Sequence, residues 1–189
     1  KILRLLYEHG PMPISVIGSL LDPPMEPRRT RDAMSRLRFE GMVIARHDAK
    51  PGQPAYYQIT ARERYRKKIA ETLNIPEEKL RDLRVRDQEI FHSIDCARWA
   101  EHLKRKFPDA KVVRENRLHS DPDAKDALNI EFKDFDLKPD ILLQLPMTDD
   151  SQPLRIAFEI ERSRKSPSRI ERKLRNFAQA TWCDGIIYA

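Results

Sequence analysis

Two stretches late in the chain, KPDILLQLP (138–146) and RIAFEIERSRKSPSR (155–169), place carboxylates inside runs that otherwise read as buried β-strands. A carboxylate buried without a partner costs several kcal/mol or takes up a proton. A fold that accepts both strands must therefore supply a cation, a neighbouring Arg or Lys, or an exposed sheet edge. Strand alternation puts Ile156, Phe158 and Ile160 on one face and Ala157, Glu159 and Glu161 on the other. If the turn MTDDSQ joins the two strands as an antiparallel pair, Asp140 and Glu159 converge at one end of the sheet, close enough for a divalent cation. Hard oxygen ligands with a few waters suit Mg²⁺. Such an ion can make a nucleophile of a bound water and offset the charge that develops on phosphorus. The alternative is a solvated edge strand in which Glu159 and Glu161 pair with Arg155, Arg162 or Arg164.

The elements around this pair follow from spacing. Ile90, Ile94, Ala97, Ala100, Leu103 and Phe107 recur at helical intervals and predict a long amphipathic helix. KVVREN reads as a strand, HSDPDAKDA as a loop and NIEF as a further short strand. Ser166-Pro167 opens a helix with Ile170, Leu174, Phe177, Ala178 and Trp182 on its buried stripe, and GIIYA is a last strand. The order helix, three strands, helix, strand predicts an α/β core with a mixed sheet.

The first part of the chain differs in charge. Residues 1–86 hold 18 Lys and Arg against 11 Asp and Glu, whereas residues 87–189 hold 18 against 19. The basic excess of the whole chain, net charge +6, therefore belongs to the first part, which suits an acidic polymer partner. KILRLLYEHG is helical and stops at Gly10, ISVIGSLL is a second helix ended by Asp22-Pro23-Pro24, and a third runs from near Pro27 to Gly41. In this third helix Ala33, Met34 and Leu37 share an arc of about 100°. Arg28, Arg29, Arg31, Arg36 and Arg38 lie opposite them, a face able to read guanine edges and clamp phosphates in a major groove. A solvated charged face would mix in more acids; only Asp32 and Glu40 intervene.

Val43–Arg46 and Tyr56–Ile59 then flank a tip at Pro51-Gly52, placing Arg46, His47 and Lys50 near a wing. Thr60 and Glu63 form a T-x-x-E capping box opening the helix ARERYRKKIAETL, and Asn74-Ile75-Pro76 ends it. Helix–helix–helix–hairpin is the winged helix-turn-helix order. The expected architecture is α+β in two domains: a winged-helix DNA-binding domain over 1–74, a linker over 75–86 and a mixed-sheet domain over 87–189. The chain begins without Met and ends on a strand-like segment, which reads as a fragment with its second domain truncated at the C-terminal end.

PD followed after 18 residues by ExE resembles the PD-(D/E)xK nuclease signature of restriction-endonuclease-like domains. The resemblance implies that Asp140 and Glu159 bind Mg²⁺ or Mn²⁺. Where that family has its water-orienting lysine this chain has Glu161. Either Glu161 is a further ligand, or the lysine's role passes to Lys165 or Arg162. An acid of the first helix is a further ligand in many such domains, for which Glu89, Asp95 and Glu101 are candidates. A winged helix, then FHSIDCARWA, KPD and EIERSRKSPSR with a following Lys173-Leu174, is also similar to the replication-relaxation family, which includes MobC-type plasmid mobilisation relaxases. In that comparison His92 matches a recurrent histidine, and Phe177 stands where an aromatic residue is usual. The resemblance implies a cytoplasmic, metal-dependent DNA nickase acting at a double-stranded origin of transfer or replication, together with accessory mobilisation or coupling proteins. Asp140, Glu159, Glu161 and Lys165 would be its catalytic residues. The alternatives are a non-catalytic winged-helix regulator or replication initiator with a degenerate nuclease-like domain, and a double-strand nuclease working as a symmetric dimer.

Other chemistries find little support. The five histidines (His9, His47, His92, His102, His119) never form H-x-H, and five glycines leave little room for a phosphate-cradling loop. Cys96 and Cys183 have no metal-finger spacing and read as reduced thiols. Nothing in the context of Tyr7, Tyr56, Tyr57, Tyr65 or Tyr188 singles out a covalent nucleophile. If the third helix contacts phosphates, Arg31→Ala and Arg36→Ala will each weaken DNA binding and lower the slope of log K against log salt by about one. Salt titrations of affinity check this, and unchanged slopes would refute the assignment.

Overall fold

Leu5 and Leu6, with Ile2 one turn earlier, are buried along α1 (Ile2–His9), which ends where Gly10 takes φ 82°. The computed structural model describes residues 1–46, 55–80, 89–120, 128, 138–146, 152–162 and 165–189. The chain is α+β and divides into two units, Lys1–Ile94 and Asp95–Ala189.

In the first unit α1 is followed by a two-residue strand β1 (Met12–Pro13), α2 (Ile14–Leu20), α3 (Pro27–Phe39) and the strands β2 (Val43–Arg46) and β3 (Tyr56–Ile59). These strands form a small antiparallel sheet in the order β1-β3-β2, with Met12 opposite Tyr57 and Arg46 opposite Tyr56. A two-residue strand carries no alternation, so β1 left no sequence signal. Pro27 occupies the first turn of α3, as its fixed φ favours. Thr30 and Met34 are its buried residues, while Ala33 and Leu37 are half-buried. Thr30 explains a close approach of α2: a Cβ on Gly18 would stand 2.8 Å from the Thr30 hydroxyl oxygen. The expected wing tip, with His47 and Lys50, and part of the expected linker lie outside the described residues.

The expected capping box is not formed. The Thr60 hydroxyl accepts from the Arg62 N–H at 3.4 Å, Glu63–Tyr65 makes a 3₁₀ turn, and α4 (Arg66–Leu73) starts only at Arg66. Thr60 is buried, which removes its side chain from the helix start. Asn74, in the left-handed region at φ 53°, closes α4.

The second unit, which begins within α5 (Ile90–Lys106), continues through β4 (Lys111–Arg114), α6 (Glu115–Ser120), β5 (Ile141–Leu145), β6 (Leu154–Glu159), α7 (Pro167–Ala178) and β7 (Gly185–Tyr188). The sheet order is β4-β5-β6-β7; the first two pairings are antiparallel and the last is parallel, so the sheet is mixed. One face carries Ile141, Leu143, Phe158 and Ile160 against Cys96, Ala100 and Leu103 of α5. The other carries Leu142 and Ala157 against Phe177 of α7, Trp182 and Leu118 of α6. The alternation read from RIAFEIE is therefore the layering of the unit.

Three expectations here are corrected. Glu115 and the residues after it turn into α6 instead of prolonging the strand, and α6 takes in part of the segment expected as a loop. Ala178 is exposed, because α7 ends there and its stripe turns outward. Trp182 is buried from the segment after α7, not from the helix. The expected NIEF strand lies outside the described residues.

Gly41 sits at φ +75°, and a Cβ there would stand 2.2 Å from the Tyr65 ring. Gly41→Ala should therefore lower stability by about 2 kcal/mol or more in urea unfolding. Gly185→Ala, where a Cβ meets nothing within 4 Å, is its control.

Candidate functional site

Glu159 is the last residue of β6 and is 2% exposed. It faces the α7 side of the sheet, where Lys173 donates a hydrogen bond to its Oε2. Its Oε1 is buried with no hydrogen-bond partner among the described residues. Asp140 comes immediately before β5, and its Oδ2 accepts the Ile160 N–H at 2.7 Å. The register Ile141↔Phe158 brings Asp140 beside Glu159. A third acid, Glu115, enters from the β4–α6 junction, where its N–H donates to the Asp140 carbonyl at 3.0 Å.

The electrostatics follow from this crowding. Burial pushes the Glu159 carboxyl up to about 7, the Lys173 hydrogen bond and charge oppose that rise, and Asp140 and Glu115 add to it. Burial likewise lowers the Arg114 guanidinium from its usual value, opposed by Cys96, Asp140 and Glu115. The group is thus a buried carboxylate held between one lysine and two neighbouring acids. A second cation brought close to Oε1 would relieve the same desolvation.

Several other candidates form pairs of their own. Glu161 pairs with Lys165 at 3.4 Å and accepts from the Tyr188 hydroxyl at 3.3 Å. Arg162 reaches Asp95 at 3.2 Å, and Asp95 also meets Arg98 at 3.5 Å. Glu101 pairs with Lys104 at 2.8 Å, and Glu89 is exposed. Arg155, considered as a partner of the acids, donates instead to Gln144 at 3.2 Å and to the Leu128 carbonyl at 2.8 Å. His92 is half-buried on the first turn of α5, and Arg164 lies outside the described residues.

Lys173, which entered the sequence reading beside Leu174 in the family resemblance, points inward from α7 to Glu159. The signal for its inward position was available: it stands three residues after Ile170 and four before Phe177, on the buried stripe of α7. Glu115 had no such signal, since its place depends on where β4 stops.

In the first unit Arg28, Arg29, Arg31, Arg36 and Arg38 are all exposed on α3. Arg46 donates to Gln58 at 3.3 Å across β2 and β3. No helix among the described residues is long and apolar enough to cross a membrane. No family model, curated protein or solved structure matches the chain.

Because Glu159 titrates higher folded than unfolded, the folded state holds an extra proton between about pH 4.5 and 7. Its contribution to stability is fully present below pH 4.5 and is lost as pH rises through 7, by on the order of 3 kcal/mol. Urea unfolding of wild type and Glu159→Gln across this range should show that fall in the wild type and much less in the variant. Parallel curves would refute the assignment.

Proposed function

We propose that the chain is a sequence-specific DNA-binding protein whose second unit nicks DNA with the help of a divalent cation. The observation that carries this reading is Glu159: a buried carboxylate at a strand end, beside Asp140 and Lys173, with one oxygen lacking a hydrogen-bond partner among the described residues. A structural ion pair would satisfy both oxygens. Two carboxylates with an unused buried oxygen are a donor set that fits Mg²⁺ or Mn²⁺. Asp140 and Glu159 would hold such an ion, which when bound supplies charge for a phosphate oxygen and acidifies water.

The chain's own residues do the rest. Lys173 holds Glu159 in place and presents its ammonium group to an incoming phosphate, the part assigned above to Lys165 or Arg162. Glu161, with Lys165 and Tyr188, lines the continuation of the same strand. The succession α5-β4-α6-β5-β6-α7-β7, with its parallel last pairing, supports a restriction-endonuclease-like reading of the second unit. The succession α1-β1-α2-α3-β2-β3 supports a winged-helix reading of the first. There the exposed arginines of α3 would enter a major groove at an origin-like duplex site.

A non-catalytic regulator is the second reading, favoured by two observations. Glu161 stands where the resembled nucleases carry lysine, and Lys173 already neutralises Glu159.

Supercoiled plasmid from the native host, incubated with Mg²⁺ or Mn²⁺, distinguishes the two. The chain should yield open circles, EDTA should abolish them, and Asp140→Ala, Glu159→Ala and Lys173→Ala should each lower the rate by about 10²-fold or more while duplex binding persists. Bound but intact plasmid would favour the regulator, and linear product would point to double-strand cutting.

A further inference from the structure

On the opposite face of the sheet from Glu159, α5 carries a hollow of about 280 Å³ that is lined, among the described residues, by Arg98, Trp99 and His102. Trp99 lies 6.2 Å from the Phe158 ring and is tilted 42° to it. His102 meets the indole edge-on at 6.1 Å. These two rings brace the indole, yet it remains 38% exposed. A tryptophan serving only the core would be covered, as Trp182 is at 5%.

We propose that this hollow binds one unpaired base of a single DNA strand, stacked on Trp99 with its phosphate on Arg98. Three observations favour this occupant. First, the volume falls just under the roughly 300–1,000 Å³ of sites that enclose drug-sized ligands, so it suits one planar ring system. Second, a braced, half-open indole offers the flat apolar face on which any base can stack. Third, the mouth is cationic: the Arg98 side chain is 57% exposed, and its carboxylate partner Asp95 is shared with Arg162. Arg162 directly follows Glu161, so the ion-paired track Arg98–Asp95–Arg162 runs from the hollow to the strand that carries Glu159. A nicked or locally melted strand could follow it. The inference rests on the nucleic-acid reading above and adds to it that the second unit engages single-stranded substrate.

The test uses the full chain with a short fluorescein-labelled single-stranded oligodeoxynucleotide, followed by anisotropy, and an unlabelled one, followed by tryptophan fluorescence. Because Trp182 is buried, saturable quenching in the wild type reports on Trp99. Trp99→Ala should weaken single-strand binding by about 5- to 150-fold, Trp99→Tyr should restore most of it, and duplex affinity should not change. Arg98→Ala should weaken single-strand binding and flatten its salt dependence, which keeps the test decisive if Trp99→Ala fails to fold by circular dichroism. Single-strand binding that leaves the tryptophan emission unchanged, or that survives both substitutions at wild-type affinity, overturns the inference. So does duplex binding, lost in Arg31→Ala, with no single-strand binding at all; in that case the DNA-binding reading stands. Failure to bind either form overturns both.

Discussion

Burial of Glu159 at the end of β6 is the constraint around which the second unit is arranged. A carboxylate with only 2% of its surface exposed is held in the protein by partners or by a proton. Lys173 provides the partner, and to do so α7 must cross the sheet with Ile170, Lys173 and Phe177 turned toward it. Asp140 works against the charge, because the antiparallel register of β5 and β6 brings it alongside. The rise of the Glu159 carboxyl to about 7 comes first from burial, with Asp140 and Glu115 adding to it and Lys173 opposing it. A core built for stability alone would place an apolar residue here, which often costs no stability and sometimes adds it.

The two faces of the sheet divide the chemistry. Toward α7 lie Glu159 and Lys173, together with Phe177 and Trp182. Toward α5 lie Phe158 and Ile160, packed on Cys96, Ala100 and Leu103, with Trp99 at the margin. One strand, β6, serves both faces through its period of two. The acid face and the braced indole are thus fixed with respect to each other by a rigid ladder, as a site built on strands requires. In the first unit the separation is helical: Thr30 and Met34 anchor α3 while its arginines stay in solvent.

Much of this was legible before the structure because it depends on local periodicity. The arginine face of α3, the stop at Gly10, the buried line of α5 and the two faces of RIAFEIE follow from side chains spaced at 3.6 or 2.0 residues. The T-x-x-E match failed for a local reason: a buried Thr60 cannot also cap a helix that starts at Arg66. What periodicity could not supply was the pairing of charges. Three basic residues close in sequence to Glu159, namely Arg155, Arg162 and Lys165, have other partners, whereas Lys173, fourteen residues on, reaches it.

The sequence by itself thus determined which side chains share a face, since that is set by the covalent repeat of helix and strand. It also determined that Asp140 and Glu159 could meet, because hairpin register links them. Only the tertiary structure decided which cation Glu159 receives, that Glu115 joins the acids, and that Trp99 is left half-open. Each of these depends on where a helix is set against the sheet. That placement is fixed by the packing of Phe177, Leu142, Ala157 and Phe158, a many-body outcome that no spacing in the chain encodes.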